Sequence, residues 1–320
     1  MKLLFRFSGE HPTLPEAELS AVLAGEKLSW RLIERDRKQR SILVDVKAKR
    51  TDFLRRLALT QAVVEVVSIS SSVSKIAECI YPRIRRAKSF RVSCESNTIE
   101  RELGALLHEW GLKVNLGNPE KTVTVVRFKG RLMAGFEIPL EKNFDERHPL
   151  KRPFFHPTSL KPKTARVLIN LARVRSGDRL LDPFCGAGGI VLEACLLGMK
   201  VFAGDISQEM LGGCERNLSH FGVRAVLEQA DALKPNRLKV DAVVTDPPYG
   251  KSSSTSGLEP QKLYDAFIQN MRGIVKKGGM LILVLPQQYR PRYRGFSRLA
   301  RYAIRVHKSL TRVIWVFQKD

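Results

Sequence analysis

From Pro162 onward the chain alternates between short apolar runs of strand length and amphipathic stretches of helix length. A helix over 163–171 precedes strands expected at 179–182, 200–205, 225–229, 242–246 and 280–285, with helical segments between them. Parallel strands need long crossover connections, and helices supply them, so the pattern specifies a doubly wound parallel sheet. The last two strands, 302–307 and 313–317, lie too close together for a crossover. They form an antiparallel hairpin at the end of the sheet. The fold class expected is therefore α/β, a Rossmann-like seven-stranded sheet with an antiparallel terminal hairpin.

Upstream the order changes. Strand patterns at 2–7, 29–34, 41–46 and 63–69 and helices at 15–25 and 52–59 give β-α-β-β-α-β, which is ferredoxin-like. A second segment reads as helix 75–81, strand 89–94, helix 98–111 and strands 122–128 and 131–138, the last two joined through Lys129-Gly130. Asn143, Pro149, Pro153, Pro157 and Pro162 then interrupt all periodicity. The expected organisation is a ferredoxin-like domain at 1–72, a second α+β domain at 73–141, a linker at 142–162 and the Rossmann-like domain at 163–320.

With 320 residues, 43% of them hydrophobic, the chain can bury two cores. Lys and Arg number 55 against 32 Asp and Glu, a formal charge of +23 that favours a polyanionic partner, nucleic acid first and anionic membrane second. The longest uncharged apolar run, 280–285, falls far short of the ~20 residues that span a bilayer, so the expectation is a cytoplasmic protein with no membrane partner. Five cysteines without a CxxC pair, and histidines without HxH or HExxH spacing, indicate neither a disulfide framework nor a metal site.

Four acids fall at the carboxyl ends of four successive strands, where open α/β sheets bind ligands. Asp182 opens Asp182-Pro183-Phe184-Cys185-Gly186-Ala187-Gly188-Gly189, whose small residues let backbone amides approach a ligand. A dinucleotide fits poorly, because GxGxxG is absent and an acid before the loop repels a pyrophosphate. Asp205, about 20 residues on, stands where a carboxylate accepts from a ribose diol. Asp231 can accept from an adenine amino group. Asp246 begins Asp246-Pro247-Pro248-Tyr249-Gly250-Lys251, which alone would be punctuation at a strand end.

Together DPFCGAGGI, AGDIS, QADAL and TDPPYG resemble the motifs of class I S-adenosylmethionine methyltransferases, the last being similar to the (D/N/S)PP(Y/F) signature of amino-group methylation. The segment RPFFHPTSLKPKTAR, 152–166, resembles that of the archaeal tRNA guanosine-10 methyltransferases, which carry an amino-terminal ferredoxin-like plus THUMP module. The likeness covers nearly the whole chain in domain order and makes 73–141 a THUMP domain. It implies S-adenosyl-L-methionine as cofactor, with Asp182 and Pro183, Cys185 and Gly186 near the methionine part, Asp205 and Ile206 at the ribose, and Asp231 and Ala232 at the adenine. It further implies that His156, Pro157 and Thr158 line the cofactor site, although His156 read by itself is a packing residue or a base.

An exocyclic aryl amine is a poor nucleophile, so the protein must orient and polarise it. The Asp246 carboxylate and the Pro247 carbonyl can accept its two hydrogens, Pro248 stiffens the turn, and Tyr249 offers a face for an unstacked base. Residues 1–150 hold 27 Lys and Arg against 19 acids, and residues 151–320 hold 28 against 13, so both halves can touch RNA. The clusters Arg83, Arg85, Arg86, Lys88 and Arg290, Arg292, Arg294 are the RNA-contact candidates, the second interleaved with Tyr289 and Tyr293. The function expected is methylation of guanosine N2 at position 10 of tRNA, mono- then dimethyl. Alternatives are a THUMP-type guanine-N2 methyltransferase acting elsewhere on tRNA or rRNA, a non-catalytic tRNA-binding protein, and a nicotinamide oxidoreductase. DNA adenine methylation shares DPPY, but the amino-terminal half favours structured RNA. A small activating protein partner is left open.

Overall fold

The computed structural model describes residues 1–140, 142–234, 238–249, 259–307 and 310–320. Contacts divide the chain into two units, Met1–Glu10 with Leu28–Thr51 and Thr60–Glu141, and His11–Lys27 with Asp52–Leu59 and Lys142–Asp320. In chain order the amino-terminal elements are β1 (Lys2–Phe7), α1 (Leu14–Gly25), β2 (Trp30–Asp36), β3 (Ser41–Val46), β4 (Thr60–Ser70), α2 (Val73–Ile84), β5 (Phe90–Cys94), α3 (Asn97–Glu109), β6 (Lys121–Phe128) and β7 (Arg131–Glu137).

In the first unit the seven strands form one sheet in the order β2-β3-β1-β4-β7-β6-β5. Strands expected of two domains, 1–72 and 73–141, are thus hydrogen-bonded neighbours, because the second edge of β4 pairs antiparallel with β7. Strand β7 buries four successive residues, Leu132 to Gly135, as a strand covered on both faces does, yet nothing in the sequence names β4 as its partner. Helices α2 and α3 bury Ile76, Ile80, Leu103 and Leu107 against Phe90, Val92, Val123 and Val125 of the sheet. That is the i, i+3, i+4 stripe of an amphipathic helix meeting one face of a sheet.

Two amino-terminal pieces belong to the second unit. Helix α1 places Leu14 and Ala21 in a core that includes Leu168, Leu171 and Val174. The segment 52–59, expected as a helix, makes only the 3-10 turn Asp52–Arg56. The cause is Glu18, whose carboxylate captures the amides of Ala58 and Leu59, each at 2.8 Å, and so diverts them from a helical ladder. Glu18 is fully buried, and it also accepts from the Asn170 side chain at 2.8 Å. Burial holds its carboxyl above the usual range, and those hydrogen bonds oppose the shift.

The remaining elements are α4 (Pro162–Leu171), β8 (Arg179–Asp182), α5 (Gly189–Leu196), β9 (Lys200–Asp205), α6 (Gln208–His220), β10 (Val226–Gln229), β11 (Val240–Thr245), α7 (Pro260–Ile274), β12 (Val275–Pro286), β13 (Phe296–His307) and β14 (Leu310–Lys319). Their sheet runs β10-β9-β8-β11-β12-β14-β13. The first five strands in that order are parallel, and β14 pairs antiparallel with both β12 and β13. The chain runs outward from β8 to β10 and then returns to the other side of β8 with β11, which opens a crevice at the carboxyl ends of β8 and β11.

The segment 142–162, expected as a linker, belongs to this unit and is anchored in it by buried Arg147, Pro149, Arg152 and Leu160. Arg147 and Arg166 lie over the Phe144 ring, 5.3 and 5.7 Å from its centroid. Both arginines pair with Glu193 of α5, at 2.6 Å each, and Glu193 is fully buried. Prolines remove periodicity here, yet Arg147 is buried and paired with Glu193, which periodicity does not reveal. No helix among the described residues is long and apolar enough to cross a membrane.

Candidate functional site

Asp182 and Asp246 stand on the two sides of the crevice. Asp182 is 1% exposed, accepts from the Thr245 hydroxyl at 2.7 Å, and is pushed up to about 7, chiefly by burial. The nearby charges of Asp205 and Asp246 push in the same direction, and the bonds from Thr245 and the Phe184 amide oppose them. Asp246 carries Tyr249 on one oxygen, through the phenol hydroxyl, and faces the Arg312 guanidinium with the other at 3.5 Å. Burial raises Asp246 to about 6, and Arg312 and Tyr249 pull it down. The Arg312 guanidinium also lies over the Tyr249 ring, 5.4 Å from its centroid.

Pro247 is buried, and the Pro248 carbonyl accepts from the Tyr264 hydroxyl of α7 at 2.9 Å. The turn is therefore clamped at its acid, at its second proline and at its tyrosine. Gly250 and Lys251 lie outside the described residues.

The glycine loop is held by the next strand end. Asp205 accepts from the Gly186 amide at 2.9 Å through one oxygen and from the Ser207 amide at 3.0 Å through the other. Each oxygen keeps a lone pair for a further donor. Gly188 has φ +81°, and a Cβ there would lie 2.5 Å from the Cys214 sulfur. That position needs glycine on both counts. Cys185 is buried, its amide donates to the Gly204 carbonyl at 2.9 Å, and Pro183 lines an adjoining cavity. The Cys185 thiol is raised by its contact with Cys214 and by burial, so it is packing rather than a nucleophile.

Asp231 anchors the turn after β10, accepting from the Leu233 amide at 2.9 Å. It and Ala232 line that cavity, of about 250 Å³, whose walls include Leu181, Phe202, Val226 and Leu238. Ile206 is 51% exposed beside this edge. His156 is half-buried and bonds Thr158 at 2.8 Å, with Pro157 exposed between them.

The segment carrying them is stapled to the site by a residue that sequence reasoning misses. Asn217, fully buried in α6, accepts from the Phe154 amide at 2.9 Å and donates to the carbonyls of Phe154 and Ala187, each at 3.0 Å. Phe154 also lies so close to Gly213 that a Cβ there would come within 2.1 Å of its ring. An asparagine in mid-helix is the one available signal. Arg312 and Thr245 carry no signal of their own. Arg312 is one arginine among many, and Thr245 has the character of an ordinary strand residue.

The basic clusters are placed differently from one another. Arg83, Arg85, Arg86 and Lys88 are exposed at the end of α2 in the first unit. Arg290, Arg292 and Arg294 are exposed after β12 in the second. The tyrosines between them, expected on a stacking surface, turn inward. Tyr289 packs edge-on against Tyr264 at 5.2 Å, and Tyr293 stacks on Phe317 at 5.0 Å. Arg292 is drawn to Asp265 of α7 at 3.7 Å.

A largely apolar cavity lined by Asp231 and Ala232, a carboxylate at the second strand end with free lone pairs, and amides of a glycine loop beside a buried Asp182 fit an adenosyl group bearing a sulfonium. This fold and site define a class I S-adenosylmethionine-dependent methyltransferase. Residues 149–313 match the RMKL-like methyltransferase domain family, UPF0020. The chain is 37% identical to the tRNA (guanine(10)-N2)-dimethyltransferase of Methanothermobacter thermautotrophicus over 100% of both chains. It is 30% identical to the enzyme of the same name from Methanocaldococcus jannaschii over 98% of each. The solved structure of TrmN from Thermus thermophilus superposes with a TM-score of 0.53 at 24% identity over 100% of both chains, a likeness of fold. The chain belongs to the tRNA (guanine(10)-N2)-dimethyltransferase family, and its cofactor is S-adenosylmethionine.

Proposed function

We propose that this enzyme methylates the exocyclic N2 amino group of guanosine at position 10 of tRNA, giving the mono- and then the dimethyl product. The observation that carries the reading is the clamped Asp246-Pro247-Pro248-Tyr249 turn, whose carboxylate faces Arg312 across the crevice from Asp182. S-adenosylmethionine, when bound, supplies a methyl carbon made electrophilic by its sulfonium. Asp246 and the Pro247 carbonyl accept the two amine hydrogens, which draws the nitrogen out of conjugation and fixes its lone pair. As the new carbon–nitrogen bond forms, the methyl carbon's bond to sulfur would break with its electron pair left on sulfur, and the amine gives up a proton, which Asp246 accepts and releases to solvent. A second transfer repeats the step on the remaining hydrogen.

For the cofactor, Asp205 with Ile206 serves the ribose, Asp231 with Ala232 the adenine, and Asp182, Pro183, Cys185 and Gly186 the methionine end. His156, Pro157 and Thr158 cover the glycine loop. Arg83, Arg85, Arg86, Lys88, Arg290, Arg292 and Arg294 contact the tRNA backbone. The relatives' names supply position 10, and the +23 charge suits such a partner. Residues 1–72 are read as a ferredoxin-like region and 73–141 as a THUMP region, and the work is done in the cytoplasm. The test is to incubate protein and labelled cofactor with total tRNA and rRNA, digest, and map the product. N2-methylated guanosine at position 10 is expected, and methyladenosine or a label confined to rRNA overturns the assignment.

A further inference from the structure

The terminal hairpin has a consequence for the chemistry. Parallel strands deliver only their carboxyl ends to the crevice, and an antiparallel strand is the one kind that brings its amino-terminal residues there. Strand β14 begins at Leu310 and places Arg312 opposite Pro286, at the end of β12. The Arg312 side chain is 20% exposed, stands 3.5 Å from Asp246 and covers the Tyr249 ring. Its Nε is buried and has no hydrogen-bond partner among the described residues. The other groups facing the carboxylate are Tyr249 on its own turn, Asp182 from β8 and Tyr264 from α7. Of these, Arg312 is the cation.

We infer that Arg312 is a positioning residue for methyl transfer, holding the Asp246 carboxylate and the Tyr249 ring in the arrangement that receives the amine. The inference rests on the function proposed above. A planar guanidinium can pair with a carboxylate and cover an aromatic face at once, which an ammonium does less well. It also offsets the burial of Asp246, keeping that group an acceptor near neutral pH. With one oxygen bonded to Tyr249 and the other facing Arg312, Asp246 has a fixed plane, and the amine meets lone pairs of defined direction.

The test compares wild type with Arg312→Lys and Arg312→Gln in single-turnover transfer to tRNA, from about pH 5 to about pH 9. Cofactor binding by calorimetry monitors folding, and tRNA binding is measured beside it. Arg312→Gln is expected to slow transfer at neutral pH by about tenfold or more and to move the acidic limb upward by about one pH unit or more. Lysine is expected to restore the limb while recovering only part of the rate, and affinities for cofactor and tRNA should stay within about threefold of wild type. An unmoved limb in an active, cofactor-binding variant overturns the inference and leaves the function intact. So does a loss confined to tRNA affinity, which would make Arg312 a phosphate contact. A wild-type enzyme that methylates no guanosine amine removes the functional reading and this inference with it.

Discussion

The two units bury different kinds of polar group. Among the described residues, the buried polar side chains of the first are Ser8, Ser41, Thr60 and Ser68, all hydroxyls. Those of the second include Glu18, Arg56, Arg147, Arg152, Arg166, Asp182 and Glu193, with Asn170 and Asn217. Burying a charge is unfavourable unless partners compensate it, so each one marks a place where a specific geometry is maintained against the hydrophobic default. The first unit is held by apolar faces and keeps its cations outside, where RNA can reach them. The second places charges at three internal points: under α1, behind the glycine loop, and in the crevice.

The sharpest way to break this contrast is at the crevice. Asp246→Ala is expected to reduce methyl transfer by about 10³-fold or more, since the variant lacks the acceptor proposed to polarise the amine. Calorimetric cofactor affinity should remain within about threefold, because Asp246 is not among the groups assigned to the adenosyl site. A variant retaining near full transfer would return the DPPY turn to the role of strand punctuation.

Stability should separate the units next. Glu193→Ala leaves Arg147 and Arg166 buried without their shared carboxylate, and unfolding is expected to become easier by about 3–5 kcal/mol. Ser68→Ala in β4 removes one hydroxyl from an apolar core, with an expected effect below about 1 kcal/mol. Chemical denaturation of the two variants measures both. Equal losses would mean that the buried charges of the second unit are no more demanding than the hydroxyls of the first.

The pH dependence offers a smaller and more selective signal. Asp182 is raised from 3.8 to about 7 in the fold, so the native state holds a proton that the unfolded chain releases. Stability from this group is therefore fully present below about pH 4 and is lost as the pH rises toward about 7, at a slope of up to ~1.4 kcal/mol per pH unit. Asp182→Asn should flatten melting temperature against pH across that window. Transfer by wild type should fall as the pH drops below about 6, where Asp246 takes up a proton. The hydroxyls buried in the first unit do not titrate in this range, so a slope unchanged in Asp182→Asn would assign it to some other group.

The same contrast explains what is legible in the sequence. Apolar periodicity is a property of neighbours along the chain, so β1, β3, β8 and β9 are found at the expected residues. The four strand-end acids are readable because the parallel sheet dictates where a carboxyl end must lie. Glu18, Asn170 and Glu193 are not, because their partners lie tens of residues or more away in the chain and their types suit a solvated helix face equally well. For the same reason 52–59 has the pattern of a helix, and 142–162 that of a linker. Arg312 is hidden by number. Among 55 basic residues, only the antiparallel direction of β14 singles it out.

The smallest stability effect is expected where the first unit meets solvent, and it tests the other half of the contrast. Arg85 and Arg86 are exposed just past the last turn of α2, and the next basic residue, Lys88, is exposed as well. Removing both guanidiniums in Arg85→Ala/Arg86→Ala should change unfolding free energy by no more than about 0.5 kcal/mol, because no buried partner is left behind. If the cluster binds tRNA phosphates, affinity falls at low salt, and the dependence of log affinity on log salt becomes shallower by about one for each phosphate no longer neutralised. The rate at saturating tRNA should be unchanged, since neither residue belongs to the crevice. An unaltered salt slope would move RNA recognition away from this face, and the cluster would then be a solvated helix end that serves solubility alone.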